Sequence, residues 1–185
     1  MRTFVAIELP EEIRREIGKV QDMLKKDEEP SRIKWVEVEN IHLTLKFLGE
    51  LSAERVQDLS RGVEEALVGY SPFPISFKEI GAFPNWGRAR VIWIGVEEGK
   101  EGVTRIQRKI EDSLARLQFE PEERSFQPHI TIGRVKEGRG ILKNPGVVFK
   151  SEPFPVGHVS IMKSTLTPKG PIYERIRVVP LKETS

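Results

Sequence analysis

A short strand, a helix and a second strand carrying His-x-Thr follow one another twice along this chain. That duplicated order constrains the fold more than any other feature. The first copy runs over 3–9, 11–25 and 41–48, the second over 90–96, 101–118 and 129–135. The two motif histidines, His42 and His129, stand 129 − 42 = 87 residues apart, and the leading strands begin 90 − 3 = 87 apart. The likeness is one of layout, not of residue identity, and it predicts two related lobes facing one another. A chain of 185 residues holds one domain, or two small lobes sharing a core.

The elements follow from local signals. Thr3 to Ile7 is short, apolar and rich in β-formers, which predicts a buried strand. Pro10, Glu11 and Glu12 open a helix that carries Ile13, Ile17, Val20 and Leu24 at helical spacing. Strands are expected over Lys34 to Val38 and Ile41 to Leu48, then a helix capped by Ser52 with Val56, Leu59, Val63 and Leu67 on one face. Phe73 to Ile80 alternates as a strand, Asn85-Trp86-Gly87 marks a turn, and Arg90 to Val96 reads as a central strand. A third helix is expected from about 101 to 118, and further strands over Ile130–Val135, Val156–Leu166 and Ile172–Val179.

The chemistry is carried by His42-Leu43-Thr44-Leu45 and His129-Ile130-Thr131-Ile132. Residues i and i+2 of a strand share a face, so each motif turns His and Thr one way and packs Leu or Ile the other. Two such strands, one per lobe, floor a cleft with two imidazoles and two hydroxyls. A neutral histidine takes a proton from an attacking oxygen while a protonated one gives a proton to a leaving oxygen. Threonine hydroxyls hold the non-bridging oxygens as charge rearranges. A single His-x-Thr carries no weight, since a strand histidine is ordinarily structural; the matched pair reverses that judgement.

Composition excludes much else. Hydrophobic residues are 38% and charged residues 31%, the balance of a globular protein, and runs such as Val91-Ile92-Trp93-Ile94 are far too short to cross a bilayer. No signal peptide is visible, so a cytoplasmic setting is expected. The absence of cysteine removes disulfides, thiolate nucleophiles and thiolate zinc sites. A net charge of +2 is too mild for general nucleic-acid coating but leaves room for a local phosphate patch. The three histidines show no His-x-His or His-x-x-x-His spacing, which argues against zinc. His158-Val159-Ser160-Ile161 imitates the motif without a partner copy, so His158 reads as an ordinary strand residue. Gly133 to Gly140 resembles a phosphate loop but lacks its Lys-Ser/Thr and a following long helix.

The sequence resembles the two-histidine phosphoesterase superfamily, and within it the archaeal and bacterial RNA 2′,3′-cyclic phosphodiesterases, also called 2′-5′ RNA ligases. The stretches that carry the likeness are Arg2 to Ile7, Trp35-Val36, Asn40 to Gly49, Gly81 to Pro84, Phe126 to Arg134, and Met162-Lys163-Ser164 through Gly170 and Tyr173. It covers essentially the whole chain, 1–185, as a single two-lobed domain. The resemblance implies an α+β fold, with two pseudo-symmetric lobes of antiparallel sheet around a central cleft and helices outside. It implies hydrolysis of an RNA 2′,3′-cyclic phosphate end to a 2′-phosphomonoester without metal or other cofactor, and 2′-5′ ligation as the reverse. It makes His42 the proton donor and His129 the proton acceptor; residue chemistry alone leaves open which takes which role. The expected partner is an RNA end or a nucleotide, with no membrane and no obligate protein. Two other readings stay open: a binding module without turnover, and the same chemistry on a small nucleotide metabolite.

Supporting residues follow from strand parity and side-chain type. Lys46 shares parity with His42 and Thr44 and is expected to lean toward phosphate at the cleft mouth, against the alternative of a solvated strand-end lysine. Arg134 has the wrong strict parity relative to His129, so it reaches the cleft only where the strand bulges. Trp86 and Tyr173 are candidates to stack on a base. Phe83 is read as core, although it too is able to stack. Arg88, Arg90, Lys136, Arg139 and Lys143 are candidates for a patch that guides an RNA end.

Overall fold

Where the sequence combines a capping signal with a helical apolar stripe, a helix forms. The computed structural model describes residues 1–26, 32–136 and 142–183. Helix α1 (Glu11–Lys25) follows Pro10 and buries Ile13, Ile17, Val20 and Leu24, with Glu11 and Glu12 at the positive end of its dipole. Helix α2 (Ala53–Leu67) starts at Ser52, whose hydroxyl accepts from the Arg55 amide at 3.2 Å. Helix α3 (Lys100–Arg116) starts after Gly99 at φ +80°, where a Cβ would come within 2.4 Å of the Pro74 carbonyl oxygen. Only glycine suits that start.

Ten strands complete the order: β1 (Arg2–Glu8), β2 (Ile33–Trp35), β3 (His42–Glu50), β4 (Phe73–Ile75), β5 (Phe77–Phe83), β6 (Val91–Val96), β7 (His129–Val135), β8 (Phe154–Val156), β9 (His158–Thr167) and β10 (Gly170–Pro180). They form two four-stranded sheets, β10-β9-β1-β3 and β2-β7-β6-β5, and a small β4-β8 pair. Every pairing between these strands is antiparallel, so the α+β expectation holds. Three strands are shorter or more broken than the sequence suggests. The expected strand over 34–38 stops at Trp35, and Val38–Asn40 turns as a 3-10 helix. The strand over 73–80 divides at Ser76, whose amide and carbonyl bond to Glu98 and Glu97. The strand over 156–166 divides at Gly157, whose carbonyl accepts from the Leu181 amide.

The duplicated order reappears in the ladders. Adding 87 to each residue of the β1/β3 register reproduces the β6/β7 register. Glu8↔His42 becomes Gly95↔His129, Ile7↔Leu43 becomes Ile94↔Ile130, and Ala6↔Thr44 becomes Trp93↔Thr131. Beyond that point one extra residue bulges in each copy, Leu45 on β3 and Ile132 on β7. Pairing then resumes as Val5↔Lys46 and Phe4↔Phe47, matched by Ile92↔Gly133 and Val91↔Arg134. A bulge reverses face parity beyond it, and here it does so equally in both sheets.

The helices cross over. Gln21 of α1 donates to the carbonyl of Ile132, the bulged residue of β7, at 2.9 Å and to Val36 at 2.8 Å. Gln107 of α3 donates to the carbonyl of Leu45, the bulged residue of β3, at 3.5 Å. Both glutamines are buried, at 2% and 6% exposure, where an unpaired amide is costly. The helix from each copy therefore supports the His-x-Thr strand of the other. One continuous core holds both sheets and all three helices of the described residues. No helix among these residues is long and apolar enough to cross a membrane.

Candidate active site

Strands β3 and β7 pack against each other, and the apolar positions of both motifs lie in the common core. Leu43 and Leu45 are 0% and 3% exposed, and Ile130 and Ile132 are both 0%. His42, Thr44, His129 and Thr131 are half-buried on the other face. Both histidines are held alike. His42 Nδ1 lies 2.6 Å from the Asn40 carbonyl oxygen, and His129 Nδ1 lies 2.6 Å from the Gln127 carbonyl oxygen. A carbonyl oxygen only accepts, so each Nδ1 carries the hydrogen and each Nε2 is the atom that gains or loses a proton. The 3-10 turn before β3 presents Asn40; the residues before the buried Pro128 present Gln127.

The surroundings differ. His42 Nε2 is 2.8 Å from Thr44 Oγ1, which donates to the neutral ring and accepts from the protonated one. Its ring stacks on Phe4 at 4.9 Å and meets Tyr173 edge-on at 5.3 Å. Phe4, Ala6, Met162 and Tyr173 make a small apolar cluster on this face, and Ala6, opposite Thr44, leaves room for the rings above it. Burial lowers the His42 pKa below the ordinary imidazole value, opposed by the Asn40 carbonyl and by the charge of Glu8. Glu8 stands opposite His42 on β1, its carboxylate accepting from Arg175 Nε and Nη2 at 3.0 and 3.1 Å and from the Ser160 hydroxyl at 2.5 Å. Burial raises the Glu8 pKa, but the Arg175 and Ser160 bonds outweigh it and hold the carboxyl below its usual value. His158 Nε2 lies 3.8 Å from the same carboxylate, so this third histidine belongs to the polar surround of His42. On the other sheet, His129 meets Phe83 edge-on at 5.2 Å, and Phe83 in turn touches Trp93 at 5.2 Å.

Parity decides the supporting residues. The β7 bulge returns Arg134 to the His129 face, and its charge acts on the Tyr173 hydroxyl from across the cleft. Tyr173 thus lies against His42 and within the field of Arg134. Lys46 is not at the cleft mouth: the β3 bulge turns it to the core side, where it is 6% exposed. Its ammonium bonds Glu111 Oε1 at 2.8 Å and the Glu120 carbonyl at 2.9 Å. Phe47, 64% exposed, takes the cleft-face position that strict alternation assigned to Lys46. Trp86 sits half-buried in the 3-10 turn Trp86–Arg88 against the main core, and no ring contact ties it to either histidine among the described residues. Phe83 is the aromatic beside His129 instead, half-buried and not core. Arg88, Arg90, Lys136 and Lys143 are exposed, while Arg139 and the second half of Gly133–Gly140 lie outside the described residues.

Sequence reasoning missed Phe4, Glu8, Phe47 and Arg175. Alternation along β1 sets Phe4 and Glu8 on the face opposite Val5 and Ile7, a usable signal; the neighbours they meet depend on the bulged register, which has none. A cavity of about 470 Å³ opens at the far end of β3, lined by Lys46, Phe47, Arg55, Phe119 and Arg124; neither histidine lines it. Among the described residues no three His, Cys, Asp or Glu side chains are grouped so as to hold a metal ion.

Comparison with known proteins gives one consistent answer. The chain is 41% identical over 186 residues to the RNA 2′,3′-cyclic phosphodiesterase of Archaeoglobus fulgidus, covering 96% of this chain and 99% of that protein. It is 40% identical to the protein of the same name from Methanocaldococcus jannaschii, at 96% and 99% coverage. The crystal structure of TT0787 of Thermus thermophilus superposes with a TM-score of 0.84 at 29% identity, covering 98% of each chain. Escherichia coli LigT complexed with 3′-AMP gives 0.78 at 27% identity, covering 97% of each. The model of the LigT-like phosphoesterases matches residues 7–93 and again 94–173, one stretch for each half of the duplicated ladder. This chain belongs to the LigT-like phosphoesterase family.

Proposed function

We propose that this protein hydrolyses the terminal 2′,3′-cyclic phosphate of RNA to a 2′-phosphomonoester, with residues 1–185 acting as one catalytic unit in the cytoplasm. The observation that carries the reading is the matched pair of imidazoles, each with Nδ1 tied to the carbonyl two residues earlier, which leaves Nε2 as the proton-exchanging atom. The names of the Archaeoglobus and Methanocaldococcus relatives support the substrate.

In the reaction, water attacks phosphorus and gives a proton to neutral His129, while the bond from phosphorus to the 3′ oxygen breaks. Protonated His42 supplies the proton that oxygen takes up. His129 ends protonated and His42 neutral, and exchange with solvent resets both. Thr44 and Thr131 hold the non-bridging oxygens as negative charge shifts among them. The assignment of donor and acceptor follows the family's pattern. Burial disfavours the protonated form of His42; the Glu8 carboxylate and the anionic substrate favour the proton that the donor role needs. No metal enters these steps. With an RNA 5′-hydroxyl in place of water, the reverse reaction joins ends through a 2′-5′ linkage.

The test is an oligonucleotide ending in 2′,3′-cyclic phosphate, incubated with the protein in EDTA. Conversion to the 2′-phosphate is expected, with loss of about 10²–10⁴-fold in rate for His42→Ala or His129→Ala. Binding without conversion would overturn the enzymatic reading. Crystal structures of E. coli LigT complexed with ATP and NADP+ favour a second reading, in which small nucleotides are the substrates. Comparing kcat/KM for the oligonucleotide and for mononucleotide cyclic phosphates separates the two.

A further inference from the structure

One rung of the β10-β9-β1-β3 sheet carries polar groups that the steps above leave unused. Arg2 pairs with Ser164 across β1 and β9, and Ser164 pairs with Tyr173 across β9 and β10, so the three stand side by side. The rung is on the cleft face, because Arg2 shares parity with Phe4 and the intervening Thr3 is 1% exposed. It begins beside the catalytic imidazole, since the Tyr173 ring lies 5.0 Å from Phe4 and 5.3 Å from His42. From the opposite sheet Arg134 faces the same phenol, with Lys34 as its cross-strand neighbour on β2. Neither Arg2 nor Arg134 has a carboxylate in salt-bridge contact among the described residues. Glu50, opposite Arg2 on β3, has its carboxylate 2.9 Å from the Met1 amino group.

Arg2 from one sheet and Arg134 from the other thus both act on one half-buried hydroxyl donor, whose ring stands 5.3 Å from that of His42. Like charges held at one point repel, and an anion between them relieves that repulsion while offering oxygens to the fork of each. We propose that Arg2, Tyr173 and Arg134 form a second phosphate site that takes the phosphate on the 5′ side of the terminal nucleotide. The inference rests on the reading above, because it is the cyclic phosphate between the histidines that sets the position of this second group. An RNA end carries a phosphodiester there, a 5′-nucleotide carries a monoester, and a bare nucleoside cyclic phosphate carries nothing.

The experiment compares kcat/KM, at fixed salt, for adenosine 2′,3′-cyclic phosphate, its 5′-phosphorylated form and the dinucleotide ApA ending in cyclic phosphate. The added phosphate is expected to raise kcat/KM about tenfold or more, mainly through KM. Arg2→Gln should erase that preference, and Arg2→Lys should restore part of it. A gain with the dinucleotide identifies the RNA diester as the group held; a gain confined to the monoester assigns the site to free nucleotides. Equal treatment of bare and phosphorylated substrates by the native protein overturns the site, as does a uniform loss on all substrates in Arg2→Gln. Calorimetry with adenosine 3′,5′-bisphosphate and adenosine 3′-phosphate supplies an arm that needs no turnover. Tighter binding of the bisphosphate, lost in Arg2→Gln, upholds the site even if no cyclic phosphate is hydrolysed, an outcome that would sink only the catalytic reading.

Discussion

His42 and His129 make the same bond at Nδ1 and keep different company. Glu8 faces His42, whereas the matching residue beside His129 is Gly95, which has no charge to offer. Glu8→Gln removes a charge that raises the His42 pKa. The limb of the kcat/KM profile that reports His42 should therefore move to lower pH, and the other limb should stay in place. The charged and titratable neighbours of His42 are Glu8 and Tyr173, with Arg175 and His158 reached through Glu8. Arg175→Gln, which unmasks Glu8, should move the same limb upward. Stability follows from the same two groups. The Glu8 pKa is lowered in the folded chain, so its contribution is present above pH 4.5 and is lost as pH falls through the folded value. The His42 pKa is lowered too, so the unfolded chain takes up that proton first as pH drops below 6.5, and stability declines there. Urea midpoints at pH 7 and 5 should differ less in His42→Gln than in the native protein.

At the scale of elements, the bulges at Leu45 and Ile132 do most to shape the site. Strict alternation, all that a strand sequence offers, placed Lys46 in the cleft and Arg134 away from it, and the bulges reverse both. Nothing in Leu45-Lys46 or Ile132-Gly133 announces a bulge. By contrast the helices were legible, because Pro10, Ser52 and the apolar stripes act locally. The divided strands at Ser76 and Gly157 were not, since their breaks serve partners distant in sequence, Glu98 and Leu181. Gln21→Leu leaves the Val36 carbonyl short of a donor and weakens support for the β7 bulge. A loss of about 1–3 kcal/mol is expected in urea unfolding, and a smaller loss for Gln107→Leu, whose bond is longer. Lys46→Met should cost on the order of 3 kcal/mol, because it strands Glu111, whose other oxygen accepts from the Glu122 amide. A phosphate-binding lysine at the cleft would instead show its loss in KM with stability intact.

For the molecule as a whole, the repeat of 87 residues survives as an identical ladder register, one ladder in each sheet, yet each sheet also takes strands from the other half of the chain. The first half of the chain supplies β1 and β3 to one sheet and β2 and β5 to the other; the second half supplies β6 and β7 to one and β9 and β10 to the other. The sequence layout predicted two facing lobes, and the structure adds that each is assembled from both halves of the chain. Pairing of distant strands leaves no local trace, and so this exchange was beyond reach of any reading of propensity or pattern.

The crossing glutamines carry that exchange into the helix layer. A fragment ending near residue 89 would keep α1 but lose the β7 carbonyl on which Gln21 closes, and its complement would keep α3 without the Leu45 carbonyl. Expressed separately, the two pieces should be unstructured; mixed in equal amounts, they should recover the native circular-dichroism signal together. Half of this polypeptide is a template that its other half completes.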